Sequence, residues 1–147
     1  MLNDQNSIKE NLEKDAKLLR DIYLKKPFPK GNISIIELHL KTGIIFGIGA
    51  TSRVKSPVSI PKAKSQGGQF EAIIDSYSNR LMDTDAEYKG LSAIADTIDM
   101  SYDSLVEGVL YLYTERKPCE SCQGIIKQFQ EKYPNINIET FWDYPYP

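Results

Sequence analysis

Residues 118–122 read Pro-Cys-Glu-Ser-Cys and hold both cysteines of the chain. The apolar run from Gly108 to Tyr113 leads into them and has the composition of a strand. Gly124 to Tyr133 follows with helical period. A strand, Cys-x-x-Cys and a helix in that order put two thiols one helical turn apart at the positive end of a helix dipole. That junction suits soft-metal binding or thiol redox chemistry. Two cysteines cannot form a disulfide framework, so stability has to come from an apolar core.

The rest of the chain alternates helix and strand signals. Ile8, Leu12, Ala16, Leu19 and Tyr23, with Leu18 and Ile22 alongside, give residues 7–26 one apolar helix face, and Pro27 and Pro29 stop it. Residues 32–41 fit a strand, with Ile36, Leu38 and Leu40 on one side and Glu37, His39 and Lys41 on the other. Thr42-Gly43 signals a turn into a second, more buried strand at 44–50, so the two read as a hairpin. Residues 51–69 read as a loop that carries Arg53, Lys55, Lys62 and Lys64 with no acid before Glu71. Phe70, Ile73, Ile74, Tyr77 and Leu81 predict a helix over 69–82. A second helix is expected after Asp83-Thr84-Asp85, with Leu91, Ile94, Ala95 and Ile98 inward and a polar turn at 99–105. A strand at 107–114 and a helix at 118–132 follow, the helix ended by Tyr133-Pro134-Asn135. Ile136, Ile138 and Phe141 mark a last strand before an aromatic, Pro-rich tail, Trp142 to Pro147. This order predicts an α/β fold bordering on α+β, with a mixed sheet flanked by helices.

A length of 147 residues suits one domain, 1–147, divided into an N-terminal helix (1–30), a core (31–141) and a tail (142–147). No apolar run approaches the ~20 residues of a membrane span, so no membrane association is expected. The first thirty residues alternate charge and apolarity, unlike a signal peptide. A net charge of −2 argues against a protein held to nucleic acid mainly by charge, while leaving room for a local basic patch.

The thiols admit two chemistries. In a thioredoxin-like reading Cys119 and Cys122 cycle as a thiol–disulfide pair, but only about fifteen residues remain after Tyr133 to complete such a site. In a metal reading further ligands are needed. The single histidine, His39, sits on the polar face of its strand between Glu37 and Lys41. Asp85-Ala86-Glu87 is the better source, because it opens a helix as the cysteines do. Asp85, Cys119 and Cys122 would then bind zinc, a fourth position would stay open for water, and Glu87 would handle protons. Thr84 to Glu87 also matches a capping box, which is the structural alternative for the same residues.

The combination of Ala86-Glu87 with Pro118-Cys119-x-x-Cys122 resembles the zinc-dependent deaminases of nucleotides and nucleic acids, whose signature is His/Cys-x-Glu followed by Pro-Cys-x-x-Cys. Gly47-Ile48-Gly49-Ala50 is similar to the Val-Gly-Ala strand end of cytidine deaminases. Within that superfamily the chain looks most like the deaminases of bacterial polymorphic toxins. Asp85 to Lys89, Leu91, Thr114 to Arg116, Pro118 to Cys122, Gln128-Phe129 and Tyr133 to Ile136 carry the likeness. It implies a three-layer cytidine deaminase-like fold with a mixed central sheet of four to five strands. Asp85 stands where the family has histidine. Its extra negative charge would make the metal a weaker Lewis acid, and the remaining alternatives are binding by His39 or no zinc at all.

The resemblance implies a hydrolase that deaminates cytosine to uracil, with zinc as cofactor and Glu87 as the proton carrier. Ala50, Thr51, Ser52, Ala86, Pro118 and Ser121 are expected around the substrate. Single-stranded DNA or RNA is the expected substrate, DNA being favoured. The basic loop would steer phosphates, and Tyr77, Tyr113 and Trp142 are candidate stacking surfaces. As a toxin domain, the chain is expected within a larger secreted protein, acting in the cytoplasm of a target cell and opposed by a cognate immunity protein. Two other classes remain open at this point: a thiol–disulfide oxidoreductase, and a non-catalytic binding module with a structural metal.

Overall fold

The structure is a computed structural model. It describes residues 4–25, 32–52, 57, 65, 68–70, 74–75, 80–81, 86–116 and 120–144. Strand β1 (Ile33–Leu40) lies at its centre and pairs antiparallel with β2 (Ile45–Thr51) through a tight hairpin. Gly43 closes the turn at φ 99°, a conformation open to glycine, and its N–H donates to the Leu40 carbonyl at 2.9 Å.

Two short strands, β3 (Ile74–Asp75) and β4 (Arg80–Leu81), pair antiparallel in a sheet of their own. This corrects the helix expected over 69–82. The apolar spacing there does match a helix, but Ser and Asn, as at positions 76, 78 and 79, are weak helix formers as residue types. Strands β5 (Gly108–Arg116) and β6 (Ile136–Tyr144) complete the main sheet, whose order is β2-β1-β5-β6. β1 and β5 are antiparallel, and β5 and β6 are parallel. β6 continues through Tyr144, three residues into the expected tail.

Helices cover both faces of the sheet. Helix α1 (Asp4–Leu19) passes into a π-helical turn, Arg20–Leu24, closed by Lys25 in the left-handed region at φ 56°. Its Leu12 and Ala16 pack with Ile33, Ile35 and Tyr113. On the other face, helices α2 (Ala86–Ser101) and α3 (Glu120–Lys132) cover Ile36, Leu38, Leu40, Leu110, Leu112 and Ile136. Gly90 lets α2 lie close: a Cβ there would stand 2.6 Å from Ile36 Cδ1. The expected burial of the second strand is reversed. β2 is an edge strand, and Ile44 and Ile45 are 45% and 56% exposed, whereas β1 between two neighbours is buried.

Candidate functional site

Side chains alternate across a strand, so Asn32, Ser34, Ile36, Leu38 and Leu40 share one line, and Leu110, Leu112 and Thr114 share the line beside it. In register, Leu38 faces Leu110, Ile36 faces Leu112, and Ser34 faces Thr114. The first two pairs are core, while the third pair is made of two fully buried hydroxyls. Buried hydroxyls need partners. Theirs is Glu87, in the first turn of α2 and only 3% exposed. Ser34 Oγ donates to Glu87 Oε1 at 2.6 Å, Asn32 Nδ2 at 3.0 Å and Thr114 Oγ1 at 3.4 Å. Among the described residues none donates to Oε2.

Asn32 ties this carboxylate to its surroundings. Its Nδ2 also donates to Thr114 Oγ1 at 2.9 Å, and its Oδ1 accepts from the Arg116 N–H at 3.3 Å. Its own N–H donates to Ser52 Oγ at 2.8 Å, and its carbonyl accepts the Ser52 N–H at 2.9 Å. The end of β2 is thereby fastened to the start of β1.

Topology gathers further expected residues at this end of the sheet. Ala50 lies in register with Ser34, and Trp142 lies in register with Thr114. Ala50, Ser34, Thr114 and Trp142 therefore form one row across four strands, on the Glu87 face. Trp142 is 42% exposed at the end of that row. Ala50, Thr51 and Ala86 are buried, and the buried Lys89 donates from Nζ to the Thr51 carbonyl at 2.8 Å. This is also the carboxyl end of the parallel pair β5 and β6, where open α/β sheets place their ligands. α2 begins here with Ala86. α3 begins four residues after Arg116, within ~14 Å of chain reach. Both helices thus offer their positive ends to the same region.

Of the expected zinc ligands, Cys122 lies in the first turn of α3, as does Ser121. Asp85, Pro118 and Cys119 lie outside the described residues, as do Tyr77 and the basic residues Arg53, Lys55, Lys62 and Lys64. Among the described residues no three metal-binding side chains cluster. His39 is placed on the α1 face, the opposite side of the sheet from Glu87. Its Nε2 pairs with Glu37 Oε1 at 2.8 Å, and its ring meets Tyr111 edge-on at 4.9 Å. It is therefore out of reach as an alternative ligand.

Tyr113 is corrected as a stacking surface. It points to the α1 face, is 3% exposed, and donates its hydroxyl to Asp143 Oδ2 at 2.6 Å. Burial and the Asp143 carboxylate push that hydroxyl well above the usual tyrosine range, so it stays a neutral donor.

Asn32 and Ser34 are given no role by the motifs, and Thr114 enters only as part of the family likeness. Their signal was present, since each is a polar side chain continuing a period-two apolar stripe into the sheet.

A family model described as Toxin-deaminase, the BURPS668_1122 family of deaminases, matches residues 5–143. The chain belongs to this family of toxin deaminases, and the mixed four-stranded sheet with three α-helices formed by the described residues agrees with a cytidine deaminase-like fold. It is accordingly an enzyme of hydrolytic deamination. No curated protein matches its sequence. No described helix is long and apolar enough to cross a membrane.

Proposed function

We propose that the chain is a single deaminase domain converting cytosine to uracil in nucleic acid, single-stranded DNA above all, with Glu87 as the proton carrier. The observation that carries this reading is the Glu87 carboxylate, buried at the carboxyl end of the parallel pair β5 and β6 and, among the described residues, anchored through Oε1. Glu87 takes a proton from the attacking water as its oxygen bonds C4 of cytosine, and passes it to N3. It then carries a second proton to the amino group, the C4–N4 bond breaks, and ammonia leaves.

Asp85, Cys119 and Cys122 offer one carboxylate and two thiolates, a donor set that fits zinc. Asp85 directly precedes Ala86 in sequence and Cys122 is in the first turn of α3, so each helix start would contribute donors to such a set. A zinc ion held by them would supply the Lewis acidity that readies water for attack at neutral pH.

Trp142 supports a nucleic-acid substrate. It shares the row of Thr114, faces the Glu87 side and is partly exposed, as a stacking platform for an unpaired base has to be. The backbone of Ala50 to Ser52 and the residues Ala86, Pro118 and Ser121 would border the base. As the toxin domain of a polymorphic toxin, the chain would be delivered within a larger protein into the cytoplasm of a target cell. A cognate immunity protein would cover this end of the sheet.

Sequencing DNA and RNA from cells briefly expressing the chain tests the reading, with Glu87→Ala as control. An excess of C-to-T changes in one nucleic acid, absent in the control, is the expected result. Equal mutation spectra for both proteins contradict it. Purified protein is expected to bind about one zinc per chain. Cys122→Ser should abolish that binding, and retention of the metal in this variant would remove the site.

A further inference from the structure

We propose that Asn32, Ser34 and Thr114 are positioning residues that fix Oε1 of Glu87 as an acceptor and leave Oε2 as the oxygen that carries protons. The inference rests on the reading of Glu87 as proton carrier and assigns that role to one atom.

All three bonds converge on Oε1, from two neighbouring strands. A carboxylate oxygen has two lone pairs, so three donors leave Oε1 no capacity for a proton. Protonating it would strip a partner from Ser34 or Thr114, both fully buried, and an orphaned buried hydroxyl costs more than a hydrogen bond normally returns. Oε2 meets no such competition among the described residues.

Proton directions agree with this. Thr114 Oγ1 has a single proton and already accepts from Asn32 Nδ2, so its O–H is free to point at Glu87. Asn32, Thr114 and Glu87 then form a one-way chain of donors. The terminal torsion of a glutamate is broad when unrestrained, and donors from two strands hold it in one orientation.

A purely structural role explains the hydroxyls poorly. The next pairs along the same stripe are Ile36 with Leu112 and Leu38 with Leu110, so an apolar pair at Ser34 and Thr114 would simply extend the core. Each proton then moves through Oε2 alone. One goes from water to Oε2 to N3 as the C4–O bond forms. The other goes from the hydroxyl of the adduct through Oε2 to the amino nitrogen as C4–N4 breaks. Cytosine and water give uracil and ammonia, and Glu87 returns to a carboxylate with its three Oε1 bonds unbroken.

The test measures kcat and KM of the full chain on a single-stranded, cytosine-containing oligonucleotide for Ser34→Ala, Thr114→Val, Thr114→Ser, Asn32→Asp and Glu87→Gln. Zinc content and Tm are recorded for each. Ser34→Ala is expected to lower kcat about tenfold to hundredfold, the usual worth of a hydrogen bond to a charged group. Asn32→Asp, which sets a second carboxylate beside Glu87, should lower it by at least as much. Thr114→Val, whose bond is the longest at 3.4 Å, should lower it by less than Ser34→Ala. KM and zinc content should stay unchanged. Thr114→Ser should restore most of kcat, which a packing role for the lost methyl would not allow. Thr114→Val is isosteric, so it keeps the test open if Ser34→Ala or Asn32→Asp fails to fold. Full kcat in Thr114→Val beside an inactive Glu87→Gln overturns this inference and leaves the reading of Glu87 standing. An active Glu87→Gln overturns that reading itself.

Discussion

Arg20 grips Glu115 with two hydrogen bonds, Nε to Oε2 at 2.9 Å and Nη2 to Oε1 at 2.5 Å, on the face of β5 opposite the one where Thr114 meets Glu87. Both side chains are 9% exposed, and Glu115 Oε1 also accepts the Ile33 N–H at 3.0 Å. The π-helical turn after α1 is thus bolted to the strand that carries the site. Breaking a buried pair from one side leaves the other charge uncompensated, at about 3–5 kcal/mol. Arg20→Met is expected to lose that much in urea unfolding. Arg20→Met/Glu115→Gln should recover part of it, because both charges are gone and an acceptor for Ile33 remains.

Gly90→Ala sets two effects against each other. Alanine gains about 1 kcal/mol of helix propensity over glycine. Its Cβ would meet Ile36 Cδ1 at 2.6 Å in a fully buried core, and overpacking costs about 1–3 kcal/mol. Overpacking is expected to win by roughly 1 kcal/mol in a thermal melt. kcat should fall as well, since Glu87 lies on the same helix one turn earlier.

Lys89 holds the end of β2 to α2 through the Thr51 carbonyl at 2.8 Å. Lys89→Met keeps the bulk and removes the donor, at roughly 1.5–3 kcal/mol for a bond from a charged group. Because Ala50 to Ser52 are proposed to border the base, KM for the oligonucleotide is expected to rise more than kcat falls. Steady-state kinetics on the two proteins check this.

At the far end of α2, Asp99 joins the two helices on its face. Burial pushes its carboxyl up, but hydrogen bonds from Lys132, Tyr133 and Gln69, together with the Lys132 charge, hold it below the ordinary 3.8. A depressed folded-state pKa stabilises the fold fully above the unfolded value and loses that stabilisation as pH falls through the folded one. Stability is therefore expected to drop below about pH 4. Asp99→Asn should flatten that limb of a pH series of melts.

Much of this architecture was readable because its elements are simple and periodic. The alternation of Ile36, Leu38 and Leu40 and the stop at Pro134 each had one interpretation. Residues 69–82 misled because their apolar spacing fits a helix, whereas Ile74-Asp75 pairs with Arg80-Leu81 in a short antiparallel ladder that apolar spacing alone does not signal. Ile44 and Ile45 misled because an apolar edge strand and an apolar central strand look alike in sequence. Glu87 stood out in the sequence by its motif, and the fold buries its carboxylate in the first turn of α2. Asn32, Ser34 and Thr114 did not stand out, because their meaning lies in a register that brings β1 and β5 under one helix start.

Uracil formation in a single-stranded cytosine oligonucleotide, compared between the purified chain and Glu87→Gln at equal zinc content and Tm, is the most direct measurement. A proton carrier is worth about 10²–10⁴ in rate. The predicted result is turnover by the native chain and a loss of that size in Glu87→Gln with substrate binding retained. Comparable uracil yields from the two proteins would contradict the account.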